Sequence, residues 1–330
     1  MLLSVAVGCL GARGKDTIVV SGNTMGTNYT VKAVFTTALA DSLSADLPKL
    51  IKARLDLVDS TFSTYNSRSE LSVFNERGSG EQIEVSKDFK RLFSLSSEIF
   101  RASGGAFDPT TKPLVDLWGF GAVESERSPS KEEIGVVRAL VGYNKLKLGR
   151  TFEKQIALTV DMSAIAKGYG VDLVSELLEG FGAIGYMVEV GGEVRSFGFR
   201  ADDARWSIGI EVPDPEARRV HRVLQVGNLA IATSGDYRNY REENGKRLSH
   251  IIDPTTGYPV DNKLASATVF AANCASADGW ATAMMVMGSE KGLELAEAQS
   301  LLVLFLVKSE DGFREVITSK LKERFPDDFN

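Results

Sequence analysis

Five short β-type segments crowd into one stretch of the chain, at residues 186–190, 193–199, 206–212, 223–226 and 229–232, with glycines punctuating the connections. Helical periodicity lies before and after this cluster, with no regular alternation of strand and helix. A doubly wound sheet requires that alternation, so the pattern points to an α+β fold instead. Upstream, Tyr29, Val31, Ala33 and Phe35 alternate as a strand with one buried face. Leu43, Leu47, Leu50, Ile51, Leu55, Val58 and Phe62 recur at helical spacing, which predicts a helix from Ser42 onward. Phe89, Leu92, Phe93, Ser96, Ile99 and Phe100 mark a second helix, stopped by Gly104-Gly105. Ser130 with Glu133 is a capping box that opens a third, running to about Gly142. A strand is expected over 156–160 and a helix over 163–180. Beyond the β cluster follow a strand near 267–271, helices over 276–287 and 290–299, a strand over 301–307 and a hairpin at Asp311-Gly312.

The 330 residues carry a formal net charge of -6, with 43% hydrophobic and 25% charged residues. That balance is ordinary for a globular protein. It argues against nucleic acid as a partner, because a phosphate backbone is bound through clustered Lys and Arg. No internal apolar run reaches the roughly eighteen residues that cross a bilayer. The first nine residues, Met-Leu-Leu-Ser-Val-Ala-Val-Gly-Cys, are apolar, end in small residues before Cys9 and then give way to polar sequence. They read as the tail of a bacterial lipoprotein signal with Cys9 as the lipidated N-terminus, although a basic n-region is missing. Residues 1–16 are then leader and tether, and 17–330 form the domain. With Cys9 acylated, Cys274 has no disulfide partner, since the chain holds two cysteines.

Several constellations can carry chemistry. His250, one of two histidines, sits in the run Ser249-His250-Ile251-Ile252-Asp253-Pro254-Thr255-Thr256-Gly257. Imidazole exchanges protons near neutrality, and Asp-Pro followed by Gly makes a tight turn. Asp278 and Thr282 lie four residues apart on an expected helix, so both face one side and can offer oxygen ligands to a hard cation. Helix capping explains the same pair. In Val160-Asp161-Met162-Ser163-Ala164-Ile165-Ala166-Lys167-Gly168-Tyr169-Gly170 a strand end runs into a helix start, where an anion could bind with Lys167 as counter-charge. An Asp161 cap and a solvated Lys167 account equally for that spacing. Gly104-Gly105-Ala106-Phe107-Asp108-Pro109-Thr110 can cover a planar ring, or simply plug the core with Phe107. Ala232-Thr233-Ser234-Gly235-Asp236 offers an anion cradle or a polar turn, and Gly191-Gly192-Glu193 reads as a tight turn between strands.

Taken in order, these segments resemble the ApbE family of FAD:protein FMN transferases. The likeness runs from Met25-Gly26-Thr27 through Phe62 to Leu71, Gly105 to Thr110, Leu117-Trp118-Gly119-Phe120, Asp161 to Gly170, Val190 to Glu193, Thr233 to Tyr237, Ser249 to Gly257 and Ala277-Asp278. It implies an ApbE-like, T-fold-related α+β architecture, mainly antiparallel sheets packed with helices, with FAD in a cleft between them. It implies FAD contacts from Met25, Tyr65, Ala106, Phe107, Asp108, Asp161, Lys167 and Ile252. It implies an Mg²⁺ site from the Ala164 carbonyl, Asp278 and Thr282, and proton transfer assisted by His250. The implied reaction moves FMN from FAD, as substrate, to a Thr or Ser hydroxyl of an acceptor protein and releases AMP. Family acceptors are often membrane-bound redox subunits facing outward. That fits a periplasmic lipoprotein held at the inner membrane through Cys9.

Overall fold

A computed structural model describes residues 4–8, 14–121, 127–214, 219–236, 240–243 and 245–329; Cys9 and Tyr237 lie outside them. Through the molecule runs a nine-stranded sheet of β1 (Ser4–Gly8), β2 (Lys15–Thr24), β3 (Thr27–Thr36), β4 (Gly185–Val190), β5 (Glu193–Gly198), β6 (Leu229–Gly235), β7 (Leu264–Ala271), β8 (Leu302–Ser309) and β9 (Gly312–Ile317). Spatial order equals chain order, and every neighbouring pair is antiparallel. The sheet is thus a meander into which helical segments are inserted, as an α+β fold requires.

Between β3 and β4 come α1 (Thr37–Leu43), α2 (Leu47–Phe62), α3 (Glu70–Glu76), α4 (Lys87–Ala102), α5 (Lys112–Leu117), α6 (Lys131–Arg138) and α7 (Ser163–Gly180). Between β7 and β8 lies α8 (Cys274–Ala298), and α9 (Ser319–Arg324) follows the sheet. Strand residues alternate between two cores: Val269 joins the helix side, and its neighbour Phe270 packs on the other face with Trp206, Leu224 and Leu321. That second face is covered by a ribbon of Trp206–Glu211 paired with Val220–Val226, and by α9. On the helix side Phe62, Phe74, Phe89, Phe93 and Phe152 form one aromatic cluster, with Phe89 and Phe93 stacked at 4.3 Å. Each buried ring contributes about 1.5–3 kcal/mol.

Two local expectations need correction. The helix expected from Ser42 is two helices, because Pro48 lacks an N–H and fits only the first turn of α2. Residues 156–160 are not a strand; Asn75 pairs with both backbone groups of Val160, donating to its carbonyl at 2.8 Å and accepting its N–H at 2.9 Å. The helices expected over 276–287 and 290–299 are both present, on either side of a kink at Gly288 with φ 75° inside α8. Lys15 and Asp16, in the stretch expected as tether, pair with Thr36 and Phe35 in the sheet. The Ser130 capping box is present as expected.

Candidate active site

Helices α7 and α8 cross where α7 has no side chain. A Cβ on Gly168 would lie 2.4 Å from the Cys274 carbonyl oxygen, so this close approach requires glycine. The contact brings the first turns of α7 beside the first turns of α8, and with them Lys167 beside Asp278. Gly168 N–H, whose helical acceptor is the Ala164 carbonyl four residues earlier, also reaches Asp278 Oδ2 at 3.1 Å. Ala164 lines the cleft, and its carbonyl, with a second lone pair beyond the helical bond, can take a further partner. Thr282 lies one turn beyond Asp278, its hydroxyl 3.3 Å from that of Ser234 at the end of β6. One carboxylate, hydroxyls and a carbonyl are the hard oxygen donors that magnesium prefers. Among the described residues no three His, Cys, Asp or Glu side chains converge, so a soft or histidine-rich centre is not built here.

Lys167 is not a solvated surface charge. Its ammonium lies 3.3 Å from Glu193 Oε1 and 3.7 Å from Asp278 Oδ2. Burial opposes its charge, but Asp278 and Glu193 together hold it above the ordinary lysine range. Burial likewise pushes Asp278 up, against the pull of Lys167. Glu193 rises to about 8, chiefly through burial, with Lys167 pulling down and Asp278 adding to the rise. Its second oxygen, Oε2, is buried with no hydrogen-bond partner among the described residues. Sequence reasoning assigned Glu193 to a turn. The hairpin is there, with Gly191 and Gly192 at φ 62° and 105°, but it delivers Glu193 into the cleft as the first residue of β5.

Asp161 is not the N-cap of α7, which is Met162; from one residue earlier it accepts the Ser163 N–H at 2.8 Å and lines the cleft. Its own N–H is held by the Pro109 carbonyl at 2.8 Å, which ties the turn after α4 to the start of α7. In that turn Phe107 is buried in the main core. Asp108 accepts from Thr110 N–H at 2.8 Å, the Thr110 hydroxyl at 2.6 Å and Tyr143 N–H at 3.2 Å. Burial raises its carboxyl while these bonds pull it back. Phe107 and Asp108 therefore fix the turn through their side chains and leave backbone edges to the cleft.

His250 lines the same cleft, with its ring 6.5 Å from that of Phe120. The loop after it is anchored by buried Ile252 and closed on itself: Asp253 Oδ1 accepts the Thr255 N–H and hydroxyl at 2.8 and 2.7 Å. Trp118 Nε1 then donates to the Gly257 carbonyl at 2.8 Å.

Two adjoining cavities form the cleft. One of about 570 Å³ holds Lys167, Glu193, Asp278, Thr282, Ser234, His250 and Ile252; the other, of about 590 Å³, is walled by Met25, Val58, Phe62 and Ala166. Thr64, Tyr65, Asp161, Ser163 and Lys167 border both. Tyr65 stands at the rim, 95% exposed. Every residue expected at the site except Met25 lines the polar cavity, and Met25 lines the apolar one. A polar, cationic chamber joined to an apolar one suits a ligand with a charged centre and flat ends.

The chain matches the model of the ApbE family over residues 25–305. It is 43% identical to the FAD:protein FMN transferase of Vibrio cholerae over 97% of this chain and 96% of that protein. It is 35% identical to the Escherichia coli FAD:protein FMN transferase over 93% and 89%. Its structure is similar to the flavin transferase ApbE of Vibrio cholerae, with a TM-score of 0.85, 43% identity and coverage of 94% and 99%. The apo flavinyl transferase ApbE of Pseudomonas stutzeri superposes with a TM-score of 0.86 at 38% identity, covering 94% and 96%. With the family pattern spanning the sheet, both helices of the crossing and the His250 loop, the chain belongs to the ApbE family.

Proposed function

We propose that this chain is an FAD:protein FMN transferase that moves FMN from FAD to a Thr or Ser hydroxyl of an acceptor protein. The observation that carries this reading is the convergence of Lys167, Asp278, Thr282 and His250 on a cavity that opens into an apolar chamber. The family likeness supports it over nearly the whole chain.

The apolar chamber accommodates a flat ring between Met25, Phe62 and the Tyr65 rim, and the polar chamber receives the pyrophosphate. Ala164 carbonyl, Asp278 and Thr282 would hold magnesium. Bound there, the ion would draw charge from the pyrophosphate oxygens and improve AMP as a leaving group. Lys167 adds a fixed positive charge beside that centre. The acceptor hydroxyl attacks the FMN phosphorus, its oxygen forming the new P–O bond. The bond from that phosphorus to the bridging oxygen breaks, and AMP departs with the electron pair. His250 takes the hydroxyl proton, because a hydroxyl at neutral pH is a poor nucleophile until it is deprotonated. The acceptor is a membrane redox subunit with a Thr or Ser motif. Cys9, lipidated once the residues before it are removed, anchors the enzyme as a periplasmic lipoprotein, and β1 is lost with that leader.

The test is incubation with FAD, Mg²⁺ and an acceptor peptide, followed by mass spectrometry. A covalent FMN increment and stoichiometric AMP are expected, both abolished by EDTA. FMN and AMP released free, with no peptide labelled across several acceptors, would instead make the chain an FAD pyrophosphatase.

A further inference from the structure

Asp172 lies on α7, buried, four residues after Gly168. Its Oδ1 accepts the Cys274 N–H at 2.8 Å and its Oδ2 the Ala275 N–H at 2.9 Å. These are the first two N–H groups of α8, which have no acceptor within their own helix. The side chain of Asn273, the residue before α8, accepts the third, from Ser276 at 2.8 Å. The opening of α8 is therefore capped in the main by a carboxylate from another helix. The exchange is reciprocal. Asp278, four residues after Cys274, accepts the Gly168 N–H from α7 at 3.1 Å. Each helix thus gives a carboxylate to the other's backbone, one turn apart, on either side of the point where Gly168 touches the Cys274 carbonyl.

We propose that Asp172 is the positioning residue of the metal site: it fixes the register of α8 against α7 and so sets where Asp278 and Thr282 stand relative to the Ala164 carbonyl. The proposal rests on the magnesium reading above. One ligand lies on α7 and two on α8, so the three come together only in one register. Gly168 permits the approach of the helices but does not fix their sliding, since it contributes no side chain. Two bonds to successive N–H groups do fix it, because a bidentate carboxylate cannot follow a translation of α8 without losing one of them. Arg195 Nη1 donates to Asp172 Oδ1 at 3.0 Å. Partners of this kind behind metal ligands typically govern affinity by about 10–100-fold.

The experiment measures Mn²⁺ and Mg²⁺ dissociation constants by calorimetry on the FAD-free chain, and FAD affinity separately in EDTA. Asp172→Asn keeps the size and removes one acceptor. Its metal dissociation constant should rise about 10–100-fold. FAD affinity in EDTA should fall far less than metal affinity, because the apolar chamber that takes the flat ring has no wall residue from α8, and raised Mg²⁺ should restore kcat. Asp172→Glu, which keeps the charge but lengthens the stem, should give the same selective loss and serves where the Asn variant does not fold. Arg195→Met keeps both bonds to α8 and should bind metal as the wild type does. Unchanged metal affinity in both Asp172 variants would overturn the proposal. So would an equal weakening of metal and FAD, or a loss in Arg195→Met as large as in Asp172→Asn. A wild-type chain that binds no metal would refute the magnesium reading itself.

Discussion

Lys167 Nζ lies 3.3 Å from Glu193 Oε1, across the junction of α7 and β5. The ammonium is thus held between the side chains of Glu193 and Asp278 before any substrate arrives. A charge fixed in this way needs no reorganisation when negative charge develops on a neighbouring phosphate, which is the condition for electrostatic catalysis. Lys167→Ala should lower kcat/KM for FAD by roughly 10–100-fold, the worth of a hydrogen bond to a charged group at about 1.5–3 kcal/mol. Steady-state kinetics at saturating Mg²⁺ would measure it, and a change within twofold would remove Lys167 from the reaction.

The same cluster makes stability depend on pH in the metal-free protein. Burial raises Glu193 from its ordinary 4.5 to about 8, with Lys167 pulling down and Asp278 adding to the rise. A carboxyl raised in the folded state stabilises the fold fully below its unfolded value, and that contribution is lost as pH rises through the folded value. In EDTA, the thermal midpoint should therefore fall between about pH 4.5 and pH 8. Glu193→Gln, which stays neutral, should flatten that slope. Parallel slopes for the two proteins would show that Glu193 does not titrate in this window.

How much of this was readable beforehand varied with the range of the interaction. Asp278 and Thr282 share a face because a helix repeats every 3.6 residues, and the sequence pattern carries that directly. The Asp253–Gly257 turn follows from the local preferences of Pro and Gly. Glu193 and Asp172 could not be found this way, since their partners lie 26 and 102 residues away, in Lys167 and Cys274. A carboxylate next to a Gly-Gly turn looks solvated until the partner strand is known. Val160 misled for the opposite reason: its apolar run reads as a strand, but Asn75 takes both backbone groups that a neighbouring strand would have paired.

The crossing of α7 and α8 should be intolerant of a single methyl group. In Gly168→Ala the added carbon would lie 2.4 Å from the Cys274 oxygen and 2.8 Å from Ala275 N, both backbone atoms that cannot rotate away. The helices must then separate, at about 1–3 kcal/mol by the usual measure of overpacking, and metal binding should weaken with them. Gly180→Ala provides the contrast. It ends the same helix with nothing within 4 Å of the added carbon, so alanine's helix preference should leave stability equal or higher, by up to about 1 kcal/mol. Denaturant midpoints for the two variants decide the matter; similar losses in both would mean the crossing is not close-packed.

Trp118 offers a way to loosen the His250 loop without touching the cleft's charges. Its indole N–H holds the Gly257 carbonyl at 2.8 Å, and Arg138 holds the Thr255 carbonyl at 2.8 Å, so the turn after His250 is pinned to α5 and α6 from outside. Trp118→Phe keeps an aromatic ring in the small core with Leu114, Ile134 and Ile252 but leaves that carbonyl without its donor. The direct loss is about 1 kcal/mol of stability. If His250 must be aligned with the acceptor hydroxyl, a small displacement of its loop should cost the transfer step more than it costs substrate binding. The expected signature is a fall in kcat for peptide flavinylation of about tenfold or more with KM for FAD nearly unchanged. Loss of FAD affinity with kcat intact would instead mean that the loop serves to hold the substrate, with Ile252 and not His250 as its working residue.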